Sequence, residues 1–286
     1  MDAVHAFLLE DLDIRGALVQ LGSSWAAMTG RRRYAAPVRD LLGELAAVTA
    51  LIGSNLKTPG RLSFQLQGHG PVSMLVMDCN EQLQLRGMAK SELDAEAESS
   101  IAGVGDLLGD GRLVLTLQPK TAETPYQSVV PLAGSTLAKA FEHYLAQSEQ
   151  QPARLWLAAT ADTACGLFLQ KMPGADLRDA DGWNRIEQLA DTVHPEELTL
   201  PPETLLTRLF GTENVRLFAP RQASWHCPRD EEKVRSMLLS LGREEVESML
   251  ADAEMIAIED EICGHEYRFG ADIIDELFPP DGRLLH

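Results

Sequence analysis

Cysteine is scarce in this chain. Four residues in 286, Cys79, Cys165, Cys227 and Cys263, lie scattered along it, too few and too dispersed for a secreted disulfide scaffold. Positive charge is scarce as well: 25 Lys and Arg face 43 Asp and Glu, a formal net charge of −18. Phosphate backbones and anionic lipid repel such a chain, so no nucleic acid and no membrane are expected as partners. Long apolar runs are missing. The longest, residues 41–52, is interrupted by Glu44 and is too short to cross a bilayer. The first residues, Met1-Asp2-Ala3-Val4-His5 with Glu10, Asp11 and Asp13 behind them, lack the basic and apolar segments of a signal peptide. A cytoplasmic location with reduced thiols is the expectation. The usual enzymatic signatures are absent too: no Gly-x-Gly-x-x-Gly after a strand, no phosphate-binding loop, no His-Glu-x-x-His and no Gly-x-Ser-x-Gly. An enzyme is therefore not expected.

Ordinary folded-protein composition is what remains: 45% hydrophobic and 24% charged residues, in a chain long enough for about two domains. Leu41, Leu45, Val48 and Ile52 fall on one helical face that stops at Pro59-Gly60. The period then becomes two. Leu62, Phe64 and Leu66 alternate with polar residues, Val72, Met74 and Val76 form a second run, and Leu83 and Leu85 a third. Short connections imply antiparallel pairing. Residues 112–118 read as another strand, Ser135 as the cap of a helix carrying Leu137, Phe141, Tyr144 and Leu145, and residues 154–160 with 165–171 as a further hairpin. The expected fold class is α+β, with a mostly antiparallel sheet over residues 1–174. From 175 to 221, Asp, Glu and Pro punctuate short helices at 183–193 and 202–210, a helical connector whose stripe Trp183, Ile186, Leu189 and Ala190 reads as core. Residues 222–286 form a small module: a helix over 228–241 with Val234, Met237, Leu238 and Leu241 on one face, a second helix over 243–251, and two strands, 256–262 and 267–269, around Cys263-Gly264-His265-Glu266. So small a module usually depends on a metal, a disulfide or docking. Cys79 and Cys165 read as small buried hydrophobes, and Arg31-Arg32-Arg33 as a solvated loop.

Several stretches occur in a telling order. They are Lys57-Thr58-Pro59-Gly60-Arg61-Leu62, Gln65-Leu66-Gln67-Gly68-His69-Gly70-Pro71, Asp78-Cys79-Asn80 and Leu85-Arg86-Gly87, then Tyr126 through Leu132 and Arg154-Leu155-Trp156-Leu157-Ala158. Leu239 through Val246 and Cys263-Gly264-His265-Glu266-Tyr267-Arg268-Phe269 close the series. Together they resemble the 33 kDa chaperonin family of redox-regulated holdases over nearly the whole chain. The resemblance implies a chaperone that needs no ATP. Its first 174 residues would bind unfolded or partly folded clients, and its active form would be a homodimer. It also implies a C-terminal switch module in which a Cys-x-Cys and a Cys-x-x-Cys pair hold zinc when reduced and form two disulfides when oxidised.

This sequence departs from that pattern at two positions. Trp225 and Asp260 stand where the resemblance implies cysteines, so only Cys227 and Cys263 remain, thirty-six residues apart, and two local disulfides are impossible. Zinc would need other ligands, with His226, Asp260 and His265 as candidates beside Cys227 and Cys263. The alternatives are a metal-free module with Trp225 packed in place of a ligand, or a single Cys227–Cys263 disulfide that stabilises the module rather than releasing it. The expected function is a holdase that prevents aggregation under heat or oxidative stress, activated by loosening of the C-terminal module, with heat as the main trigger. A constitutive interaction module without redox switching is the competing reading.

Overall fold

The computed structural model describes residues 2–30, 32–56, 58–95, 103–122 and 124–279; Arg31 and Lys57 lie outside them. Two strands open the chain, β1 (Ala3–Leu9) and β2 (Ile14–Leu21), followed by a short helix α1 (Ser23–Thr29) and a long one, α2 (Ala36–Ser54). Next come β3 (Gly60–Gln67), β4 (Val72–Asn80), β5 (Gln84–Ser91), α3 (Val104–Leu108), β6 (Arg112–Pro119) and β7 (Tyr126–Pro131). The helix α4 (Leu137–Glu149) leads into the hairpin β8 (Ala153–Ala159) and β9 (Ala164–Lys171). Thr136, one residue beyond the expected Ser135, caps α4 by accepting the backbone N–H of Lys139.

The class is α+β, but the strands form two six-stranded sheets in place of the one expected. The first runs β10-β1-β2-β9-β8, with β11 also paired to β1; the second runs β12-β5-β4-β3-β6-β7. The late strands are β10 (Val215–Leu217), β11 (Arg221–Gln222) and β12 (Ser224–Trp225). Helix α2 packs on β8 and β9 of the first sheet and on β4 and β5 of the second. From Val38 to Leu51 it is buried apart from Arg39, Asp40 and Glu44. The single apolar face read from its sequence is thus only part of a helix that is covered nearly all round, as a helix between two layers must be.

The outer face of the first sheet carries a second core. Phe7, Leu9, Ile14, Leu18, Leu167 and Leu169 meet Ile186, Leu198, Leu205, Leu206 and Phe210 there. The latter come from α6 (Gly182–Ala190), the 3-10 turn Pro195–Thr199 and α7 (Pro202–Phe210), which follow a single turn, α5 (Ala175–Arg178). Gln20 donates to the carbonyls of Leu198 and Leu200, at 2.8 and 2.7 Å, and fixes the intervening turn to β2. With helices on both faces, β2 and β9 lose the apolar–polar alternation that marks a half-exposed strand.

By its contacts the chain divides into two units, Met1–His226 and Cys227–His286. The second unit contains α8 (Glu231–Leu241), α9 (Arg243–Asp252), the hairpin β13 (Ile256–Asp260) and β14 (His265–Phe269), and α10 (Asp272–Leu277). Asp230 caps α8 by accepting the Lys233 N–H at 3.0 Å. Its core is Leu238, Val246, Ile256, Tyr267, Phe269 and Ile273. Of the four-residue stripe read on α8, Leu238 is buried and Val234 packs beside it, but Met237 and Leu241 are exposed. A unit of this size has too little interior to cover a full helical stripe.

Candidate redox and metal centre

Cys227 opens the second unit and Cys263 sits in the turn of its hairpin, where Gly264 takes φ of +64°. That turn is built by Asp260, whose Oδ1 accepts the backbone N–H groups of Ile262 (2.8 Å) and Cys263 (3.3 Å). The turn aims Cys263 back at Cys227, and the two sulfurs are joined, with Cα atoms 5.9 Å apart across 36 residues. This Cα spacing is ordinary for a disulfide. His265, first residue of β14, donates from Nε2 to the Cys227 carbonyl at 2.7 Å. Further clamps hold the strand opposite the start of the unit. The Arg229 guanidinium stacks 4.9 Å from the Tyr267 ring centre and donates to the Glu266 carbonyl, while the Tyr267 hydroxyl accepts the Asp230 N–H at 2.8 Å.

Cys227, Cys263 and His265 bring their ligand atoms within 4.8 Å of one another, the cluster among the described residues that could hold a metal ion. The other two candidate ligands are placed differently. Asp260 spends its carboxylate on the turn, and His226 is exposed, its backbone N–H donating to Leu85. Trp225 lies on β12, paired in parallel with β5 and packed against the inter-sheet core. It therefore belongs to the first unit's packing and fills no ligand position in the second. A closed structural zinc site takes four protein ligands; three are gathered here, and two of those are the joined sulfurs. The donor set falls short of such a site.

The remaining thiols are sequestered. Burial pushes Cys79 up to about 12 and Cys165 up to about 11, so neither supplies thiolate at neutral pH.

Comparison with known proteins now bears on this arrangement. The family profile described as Hsp33 protein matches residues 2–270. The chain belongs to the Hsp33 family. The 33 kDa chaperonin of Methylobacillus flagellatus is 39% identical over 282 residues, covering 97% of this chain and 94% of that protein. The 33 kDa chaperonin of Vibrio cholerae is 38% identical over 291 residues, covering 99% and 98%. A crystal structure of the 33 kDa chaperonin from Thermotoga maritima shares the fold, with a TM-score of 0.81 at 21% identity over 97% of this chain and 98% of that one.

The stretches that carried the family resemblance have architectural reasons in this structure. Asp78 and Arg86 oppose each other on β4 and β5 and pair at 3.0 Å. A side chain at Gly68 or Gly70 would run into the backbone of Leu108 or Leu107, which closes over that turn.

Proposed function

We propose that this chain is a holdase chaperone that binds unfolding proteins and prevents their aggregation without ATP, and that loosening of its C-terminal unit activates it. The name carried by its relatives, 33 kDa chaperonin, supports the chaperone reading, and the lack of a phosphate-binding loop suits a protein that works without ATP. The observation that carries the activation mechanism is the separateness of the second unit, whose core among the described residues is a cluster of six buried side chains. A core that small supplies only a few kcal/mol, so this unit opens at lower cost than the two-sheet body.

The Cys227–Cys263 link closes a 36-residue loop, which in the chain-entropy account stabilises the unit by about 4 kcal/mol. Oxidation therefore tightens the unit, and heat is the stress that opens it. On this reading the two cysteines act as a staple, with no metal step. Clients are unfolded or partly folded proteins, the active form is a homodimer, and the site of action is the cytoplasm. Apolar side chains already open to water on the first unit, Tyr126 and Val129 of β7 and Leu177, are natural first contacts for such clients. The charge of −18 keeps a protein that displays them soluble.

Light scattering of a thermally unfolding client tests this reading. Suppression of aggregation should rise sharply once the protein has been warmed through the melting of its C-terminal unit, and peroxide alone should not raise it. Equal suppression before and after warming would mark a constitutive interaction module. Suppression switched on by peroxide in the cold would overturn the thermal trigger.

A further inference from the structure

A sheet edge offers backbone groups to any chain that can lie beside it, and proteins ordinarily blunt such edges with charge, short strands or a cover. Most edges here are blunted. The outer side of β1 is taken by β10 and β11. One end of the second sheet is β12, only two residues long. At the β8 edge, the ladder with β9 turns the Leu155 N–H outward, and the Glu142 carboxylate of α4 accepts it at 2.9 Å. In the second unit, β13 and β14 carry Glu259, Asp260, Glu266 and Arg268.

The β7 edge has none of these devices. Its six residues, Tyr-Gln-Ser-Val-Val-Pro, include no charged side chain, and among the described residues no strand lies beyond it. Two hydrogen bonds fix which of its groups face out. Leu132 donates to the Gly111 carbonyl at 2.9 Å, and Lys120 to the Pro59 carbonyl at 3.0 Å. Carried along the registers of β6 with β7 and with β3, that phase directs Ser128 and Val130 toward β6. It leaves the N–H and C=O groups of Gln127 and Val129 directed away from the sheet. Pro131, which has no N–H, falls in the same outward row, where no ladder bond is lost. Tyr126 is 62% exposed and Val129 55%. By strand alternation they lie on opposite faces, so a strand laid alongside would find apolar contact on both.

We propose that β7 is a strand-docking edge: an extended segment of an unfolding client adds to it as a further strand, pairing with Gln127 and Val129 and resting apolar side chains on Val129 and Tyr126. This rests on the chaperone reading and gives it a recognition chemistry. Main-chain pairing reads amides and not side chains, so it admits clients of many sequences. A second copy of β7 is a poorer occupant, because its Pro131 has no N–H to offer and it brings another net charge of −18.

The test uses the full-length protein, warmed through the melting of its C-terminal unit, and a labelled, Lys-flanked peptide of alternating Val and Thr read by fluorescence anisotropy. The peptide should bind saturably, and its counterpart N-methylated throughout the Val-Thr core should bind at least about tenfold more weakly. Val129→Pro deletes an N–H that the β6 ladder does not use, and should weaken the unmethylated peptide by at least about tenfold, whereas Val129→Thr, which keeps it, should stay within about twofold. If Val129→Pro fails to fold, Val129→Lys, a charge on the edge, should weaken binding by at least about fivefold in its place. Equal binding of the N-methylated peptide, or unchanged binding in the substituted edge, would overturn the proposal; suppression of client aggregation by the parent protein would then leave the chaperone reading standing. A parent protein that suppresses no client aggregation would overturn both. A change from dimer to monomer on sedimentation of Val129→Pro, with peptide binding intact, would give the edge to a second copy and overturn the proposal as well.

Discussion

Glu44 shows what one residue does at the centre of this fold. It sits mid-way along α2 between two layers, and although part of its side chain reaches water, burial first and the neighbouring Asp40 second push its carboxyl up to about 7. An unfolded glutamate ionises near 4.5. The folded state therefore keeps its proton over a pH range in which the unfolded chain releases it, and stability falls as pH rises from about 4.5 to about 7, then levels off. Glu44→Gln should remove that slope and raise stability above pH 7 by at most about 3 kcal/mol, taking about 1.4 kcal/mol for each pH unit of displacement. Urea melts of the two proteins at pH 5 and pH 8 check this, and parallel pH profiles would contradict it. In the sequence Glu44 was visible only as an interruption of an apolar run, because its burial depends on a second layer lying over the helix.

At the scale of elements, the segment carrying α6 and α7 turns out to be half of a core. Ile186 is fully buried against the first sheet, so Ile186→Ala should destabilise the first unit by about 2–5 kcal/mol. Denaturant melts read by far-ultraviolet circular dichroism will measure it; a loss below 1 kcal/mol would mean that the helix is only loosely applied. The stripe Trp183, Ile186, Leu189 and Ala190 was legible from its spacing, whereas its partner strand was not, since β2 is covered on both faces and shows no alternation. The strands β10, β11 and β12, two or three residues each, are too short to leave a pattern and exist only because an edge was there to pair with. The metal question belongs to the hairpin. With three donors gathered and two of them joined, the purified protein should carry well under one zinc per chain by elemental analysis; a full equivalent would mean that a fourth ligand completes the site.

At the scale of the whole molecule, two bodies with separate cores should melt separately. Calorimetry of the full chain should show a small transition before the main one. In the double variant Cys227→Ser, Cys263→Ser that small transition should fall by at least about 10 °C, since the staple contributes about 4 kcal/mol to a unit of roughly sixty residues. Treatment of the parent protein with a reductant should move it the same way. A single transition shared by the whole chain, unmoved by either change, would remove the basis for thermal activation.

Local chemistry alone decided much of this protein. Alternation in β3 and β6, the helical spacing of α4 and α6, and the order of short motifs were all readable along the chain, because each depends on neighbours a few residues away. Cys227 and Cys263 were legible as the retained half of a motif. That Asp260 shapes the turn presenting Cys263, that Trp225 pairs with β5, and that Arg15 and Gln170 meet across β2 and β9 were settled by tertiary structure. Each of these requires segments remote in sequence to arrive at the same place, and side-chain periodicity specifies which face is buried but not what comes to cover it.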